Sequence, residues 1–244
     1  MSSQQYLKSI SVIIDQIVSH ESPAIDSAAR CCANAIAQGG VVHCFGTGHS
    51  ALLAADAFYR AGGLACVNAI LEEAISIHAG SAISNWAERQ PGLAKLILDR
   101  YDLRAGEPMI LFSVSGVNPV PIEVAAESRK LGLTVIAITS RAYCQSVADG
   151  RGLNRTVITE ADLVIDNHVP SGDAVLAIPG GELRAGPTST IGSALIYNLM
   201  LERISELLVE MRLPVPIFAS ANLPGANEHN RKLIARYRQR IRHF

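Results

Sequence analysis

The chain is poor in the features that mark several functional classes. Aromatic residues make up 5% of it and tryptophan occurs once, so there is no aromatic platform of the kind that stacks nucleic-acid bases. The five cysteines, Cys31, Cys32, Cys44, Cys66 and Cys144, are an odd number without a CxxC pair. They suggest neither a disulfide framework nor a zinc cluster, and are expected to be small buried hydrophobes. Neither sign of charge dominates: 21 basic residues face 22 acidic ones, which gives no general attraction to nucleic acid. Apolar runs are cut by glycine, proline or charge well short of a membrane span. The start, MSSQQYLKSI, lacks the basic stretch and apolar core of a secretion signal. A cytoplasmic protein without nucleic-acid or membrane partners is expected, and no repeat or low-complexity tract is present.

What is abundant is apolar residue and glycine, arranged as strand-to-helix turns. With 244 residues, 49% of them hydrophobic, the chain can bury a full core as one principal domain. In VVHCFGTGHSALLAADAFYRAGG, Val41 to Gly63, an apolar run breaks at Gly46 and Gly48 and then enters a helical pattern. Glycines there permit a tight turn and close ligand approach, and Ser50 can cap the helix while its first amides face an oxyanion. A second run, Met109 to Phe112, ends in SVSGVNPVP. There Ser113, Ser115 and Asn118 can donate hydrogen bonds and the following helix is expected to offer unpaired amides. The competing reading of either loop alone is that its serines only cap helices.

Strand-like runs recur at 41–45, 64–69, 109–113, 134–139 and 163–165, each apolar enough to be covered on both faces. Helical patterns occupy 27–38, 50–61, 119–131, 190–213 and 228–242, and a stripe from Leu7 to Val18 marks a further N-terminal helix. This alternation predicts an α/β doubly wound, three-layer αβα sandwich. Residues 140–187 break the rhythm and are expected to be loop-rich with one short strand. His43 and Cys44 lie inside the first strand run and read as core. Asp166, Asn167, His168 and Asp173 match no strong metal-ligand spacing and read as loop residues. The six basic residues on the last helix read as a solvated face or an oligomer contact rather than an RNA site.

The pairing of GTGHS with SVSGVNPVP, followed by ITS at Ile138 to Ser140 and GPTSTIGSALIYNL at Gly186 to Leu199, resembles the sugar isomerase (SIS) domain of phosphosugar-binding proteins. FYRAGGL, SGVNPVPIE and the late NEHN box are similar to the stand-alone members of that family. The resemblance implies a five-stranded parallel sheet in the flavodoxin-like order 2-1-3-4-5. It also implies a SIS domain over 1–213 with N-terminal dimerisation helices, a C-terminal extension over 214–244, and a homodimer or dimer of dimers. By motif match it assigns phosphate and sugar binding to Gly46, Thr47, Gly48, Ser50, Ser113, Ser115, Gly116, Asn118, Thr188 and Ser189. No cofactor and no metal are implied, because the histidines on the last long helix of phosphoheptose isomerases are replaced here by Ser193, Tyr197 and Asn198.

Aldose–ketose isomerisation needs a base that moves a proton between adjacent carbons, with helpers that open the ring and steady the enediolate. The resemblance places a catalytic glutamate after strand two, where Glu72 and Glu73 stand with His78 close behind; a solvated helix start is the alternative. His49 is equally a ring-opening acid or a packing residue. In NEHN, Glu228 and His229 can complete a site as a lid or simply open a capped helix. Three activities remain: a metal-independent phosphosugar isomerase, a lyase resembling N-acetylmuramic acid 6-phosphate etherase, and a non-catalytic sugar-phosphate sensor.

Overall fold

The computed structural model describes residues 3–244. Two N-terminal helices, α1 (Ser3–His20) and α2 (Ser22–Ala37), precede the first strand. Ile10, Ile13 and Ile17 of α1 are buried at helical spacing, and α2 turns an alanine-rich face inward until Gly39, at φ 81°, ends the helical region. Strand and helix then alternate: β1 (Val42–Gly46), α3 (Ser50–Ala57), β2 (Val67–Ala69), α4 (Ser81–Ala87), α5 (Leu93–Leu98), β3 (Pro108–Phe112), α6 (Pro119–Lys130), β4 (Thr134–Thr139), α7 (Arg141–Arg151), α8 (Val157–Glu160) and β5 (Leu163–Asp166). A hairpin, β6 (Ala174–Ala177) and β7 (Arg184–Pro187), leads into the long helix α9 (Ser189–Glu210), and α10 (Ala226–Tyr237) lies near the C-terminus.

The main sheet has five strands in the order β2-β1-β3-β4-β5, all pairs parallel, as the motifs implied. Its central strands β1 and β3 are buried along their whole length. Successive side chains alternate between two cores because the strand period is two. Ile110 and Phe112 pack with α2, α3 and α9, whereas Met109 and Leu111 pack with α5 and α6. No helix among the described residues is long and apolar enough to cross a membrane. All five cysteines are free, and burial pushes the Cys66 thiol up to about 12, which suits an inert core residue.

Three segments differ from the sequence expectation. Residues 140–187 hold α7, α8 and the β6–β7 hairpin besides the one expected strand. Helix α3 ends at Ala57, where the chain becomes extended at Phe58 and enters a positive φ at Tyr59. The run from Leu64 enters the sheet only at Val67, because Leu64 instead bridges antiparallel to Ile217 of the C-terminal extension.

That extension sits at the N-terminal edge of the sheet. Phe218, Tyr237 and Ile241 join the core there, and Arg240 reaches Glu107 at 2.7 Å, just before β3. Glu107 also accepts from the Val41 and Arg104 amides and from His43 Nε2 at 2.9 Å, while His43 Nδ1 accepts from Asn68. His43 is thus a satisfied core residue.

Candidate functional site

The site lies where the C-terminal ends of β1 and β3 meet, the switch point of this strand order. In the first loop, Gly46 is required by proximity: a Cβ there would stand 2.3 Å from the Ser50 carbonyl oxygen. Gly48, at φ 55°, donates its amide to Ile75 O at 2.7 Å, tying the loop to the segment after β2.

Helix α3 departs from the expectation. His49 is its cap residue and Ser50 its first residue, with no side-chain cap bond. The amides of Ser50, Ala51 and Leu52 donate back to Thr47, Gly48 and His49 carbonyls. They therefore do not face a ligand. Helix α6 is closed off as well, for a reason written in PVP: Pro119 and Pro121 carry no amide hydrogen, Val120 donates to Glu88 O at 3.1 Å and Ile122 to Asn118 O. The expected unpaired amides at the start of α6 are absent.

The second loop supplies donors in another way. At β3's end the Val114 carbonyl is turned toward β4, accepting from Ser140 N and Thr139 Oγ1, both at 3.1 Å, and the Gly116 carbonyl accepts from Val157 N at 2.8 Å. With Gly116 at φ 64°, the amides of residues 114–118 have no protein acceptor among the described residues. The Ser113 and Ser115 hydroxyls and the Asn118 amide side chain likewise have no protein partner there. Unpartnered backbone N–H groups beside free hydroxyls are donors of the type that anion-binding concavities use.

A cavity of about 400 Å³ opens at this place, lined by Thr47 to Ser50 of the first loop, Val114 of the second, Glu88, Asp173 and the start of α9. Thr188 and Ser189, expected to bind phosphate, are engaged by the chain's own carboxylate. Asp173, at φ 66°, accepts from both of their amides at 2.8 Å and from the Ser189 hydroxyl at 2.6 Å. Asp173 thus closes the start of α9 from outside the helix, whose N-cap residue is Thr188.

The expected catalytic residues do not gather in one cavity. His49 is exposed and lines the 400 Å³ space. Glu72, Glu73 and His78 line a separate cavity of about 330 Å³ across α3, with Ala51 and Ala55. Glu72 is paired with Arg100 and accepts from the Tyr101 hydroxyl at 3.1 Å. Burial, followed by the Glu72 charge, holds the Tyr101 phenol well above its ordinary value. Glu73 is exposed, and the Ser76 hydroxyl bonds His78 Nδ1 at 2.8 Å. His229 is elsewhere altogether: its Nε2 donates to Ile217 O at 2.8 Å, at the opposite end of the sheet. It cannot cover its own chain's cavity as a lid.

Among the described residues no three His, Cys, Asp or Glu side chains converge as metal ligands. Asp166 accepts from Arg141 and His168 amides, and His168 pairs with Glu21, so this segment serves as a loop brace. The sequence alone gives no sign of Glu88 and marks Asp173 only as a loop residue. Glu88 sits in an unremarked AERQ stretch at a helix end, and Asp173 in an SGD turn; only their distant partners reveal them.

Comparison with known proteins agrees with this architecture. The SIS domain family model matches residues 5–140. A UPF0309 protein of Caldanaerobacter subterraneus is 40% identical over 242 residues, covering 98% of each chain. One from Brucella anthropi is 44% identical over 203 residues, covering 83% of this chain and 82% of its own. The solved phosphoheptose isomerase of Neisseria gonorrhoeae superposes with a TM-score of 0.54 at 16% identity, covering 82% of this chain and 95% of that one. That of Francisella tularensis gives 0.53 at 18% identity, covering 84% and 100%. At such identities the likeness is one of fold. The strand order, the two converging loops and the full-length similarity together place this chain in the UPF0309 family of SIS-domain proteins.

Proposed function

We propose that the protein binds a phosphorylated sugar through the loop 113–118 and interconverts its aldose and ketose forms without a metal. The observation that carries this is the set of unpartnered amides at 114–118, flanked by the free Ser113, Ser115 and Asn118 side chains. A phosphate dianion has the oxygens to satisfy such donors, and each charged hydrogen bond contributes about 1.5–3 kcal/mol. Membership of the SIS family and the fold shared with phosphoheptose isomerases support the same reading.

With the phosphate anchored there, the sugar extends into the 400 Å³ cavity against Thr47, His49 and Ser50. The exposed His49 imidazole is placed to protonate the ring oxygen as the ring opens. The Ser50 hydroxyl is placed to hydrogen-bond an enediolate oxygen.

Thermal denaturation with and without ligand tests the anchor. A ligand that binds only the folded state at about a hundred times its Kd stabilises by about 2.7 kcal/mol. Pentose, hexose and heptose phosphates are expected to raise the melting temperature, and the corresponding free sugars are not. Stabilisation by free sugars alone would overturn the phosphate assignment.

A further inference from the structure

We propose that Glu88 is the base that moves the proton between the adjacent sugar carbons, and that Thr47 is its positioning residue; this rests on the phosphosugar isomerase reading above. The assignment begins from position. Glu88 closes α4, its side chain is 14% exposed, and it lines the same cavity as both loops. Its backbone is fixed relative to the phosphate loop, because its carbonyl accepts the Val120 amide two residues beyond Asn118. Its carboxylate is fixed relative to the first loop, because Oε2 accepts from Thr47 Oγ1 at 2.9 Å while Oε1 accepts from Arg89 at 2.7 Å.

The other carboxylates are worse placed. Glu72 lines the neighbouring cavity rather than this one, and is tied there to Arg100 and Tyr101. Glu73 is exposed in the neighbouring cavity. Asp173 lines the right cavity, but its Oδ1 accepts two amides and its Oδ2 the Ser189 hydroxyl, which turns the carboxylate onto the start of α9. Glu88 combines entry to the cavity with spare lone pairs.

In the aldose-to-ketose direction, the carboxylate takes the proton from C2 of the open-chain sugar. The C2–H electrons form the C1=C2 bond, and the carbonyl electrons move onto O1, which gains a proton to complete the enediol. Loss of the O2 proton then forms C2=O, and C1 recovers the proton from the Glu88 carboxylic acid. C2 is oxidised and C1 reduced within one molecule, so no outside oxidant or reductant enters. The Thr47 hydroxyl holds the carboxylate in place beside the first loop.

The test uses whichever pentose, hexose or heptose phosphate gives the largest thermal stabilisation, and follows solvent-deuterium incorporation at C1 and C2. Glu88→Gln keeps an acceptor for Thr47 and is expected to retain the thermal shift while exchange falls about a hundredfold to ten-thousandfold. Glu88→Asp, which withdraws the carboxylate by one methylene, guards against a folding defect in the first variant and is expected to lose exchange in the same way. Glu73→Gln is expected to exchange at the wild-type rate. Thr47→Val is expected to lower kcat while leaving KM near the wild-type value, with recovery in Thr47→Ser. Exchange that survives Glu88→Gln, or a wild-type protein that binds the sugar phosphate without exchange, overturns the assignment. Absence of any sugar-phosphate binding overturns instead the reading on which it rests.

Discussion

Replacing Glu107 with glutamine probes the buried network that ties β1, β3 and the C-terminal extension together. The Glu107 side chain is 5% exposed and bonds His43, Arg240 and the amides of Val41 and Arg104. Burial would raise its pKa, but the hydrogen bonds from His43, Arg240 and the Val41 amide outweigh it and hold the group at about 2, against an ordinary 4.5. A folded-state value below the unfolded one means the carboxylate stabilises the fold at high pH and loses that effect on acidification. The difference corresponds to about 3 kcal/mol, present in full above about pH 5, with about 2 kcal/mol gone by pH 3. Urea denaturation of both proteins from pH 7 to pH 3 measures this. The stability gap between wild type and Glu107→Gln should narrow by about 2 kcal/mol as pH falls. Asp26, whose pKa Arg203 and Arg30 depress, titrates in both proteins and cancels in the comparison. A gap that stays constant over this range would show that the Glu107 charge contributes nothing, refuting the argument.

Other outcomes follow from the site. Ser113→Ala and Ser115→Ala should each weaken sugar-phosphate affinity by about tenfold to a hundredfold, read by calorimetry, because each removes a hydrogen bond to a charged group. Asp173→Ala should destabilise the protein by about 1–2 kcal/mol in denaturant titration, since the first amides of α9 lose their acceptor. Gly46→Ala should cost about 3 kcal/mol or prevent folding, because the new Cβ meets the Ser50 carbonyl oxygen at 2.3 Å; circular dichroism melting decides this. His229→Ala should leave turnover unchanged, as its imidazole bonds Ile217 at the far end of the sheet.

The parallel sheet was legible because its strands are unbroken apolar runs, and β1 and β3, buried along their whole length, leave no other arrangement for such sequences. Helix α7 was not, because only Cys144 and Ala148 of RAYCQSVADGR are buried, too narrow a stripe to stand out from a loop. The β6–β7 hairpin joins two four-residue strands that pair only with each other and lie half in solvent, leaving weak alternation to read. The two loops were visible through their glycines and serines. Their amides were not, since the turning of the Val114 and Gly116 carbonyls toward Ser140 and Val157 is set by neighbours 26 and 41 residues away. PVP already removes two of the first three amides of α6, a consequence readable from proline chemistry, whereas the capture of the Val120 amide by Glu88 O is not readable there. Glu88 and Thr47 are separated by 41 residues, and their contact exists only after the sheet has formed.

The anchoring of an anion by the second loop is tested most directly by amide NMR of the isotopically labelled protein during titration with a stabilising sugar phosphate. The amides of residues 114–118 should move downfield together, saturating with the same Kd as the thermal shift. Saturable binding that leaves those resonances in place, and instead moves Thr188 and Ser189, would contradict the account.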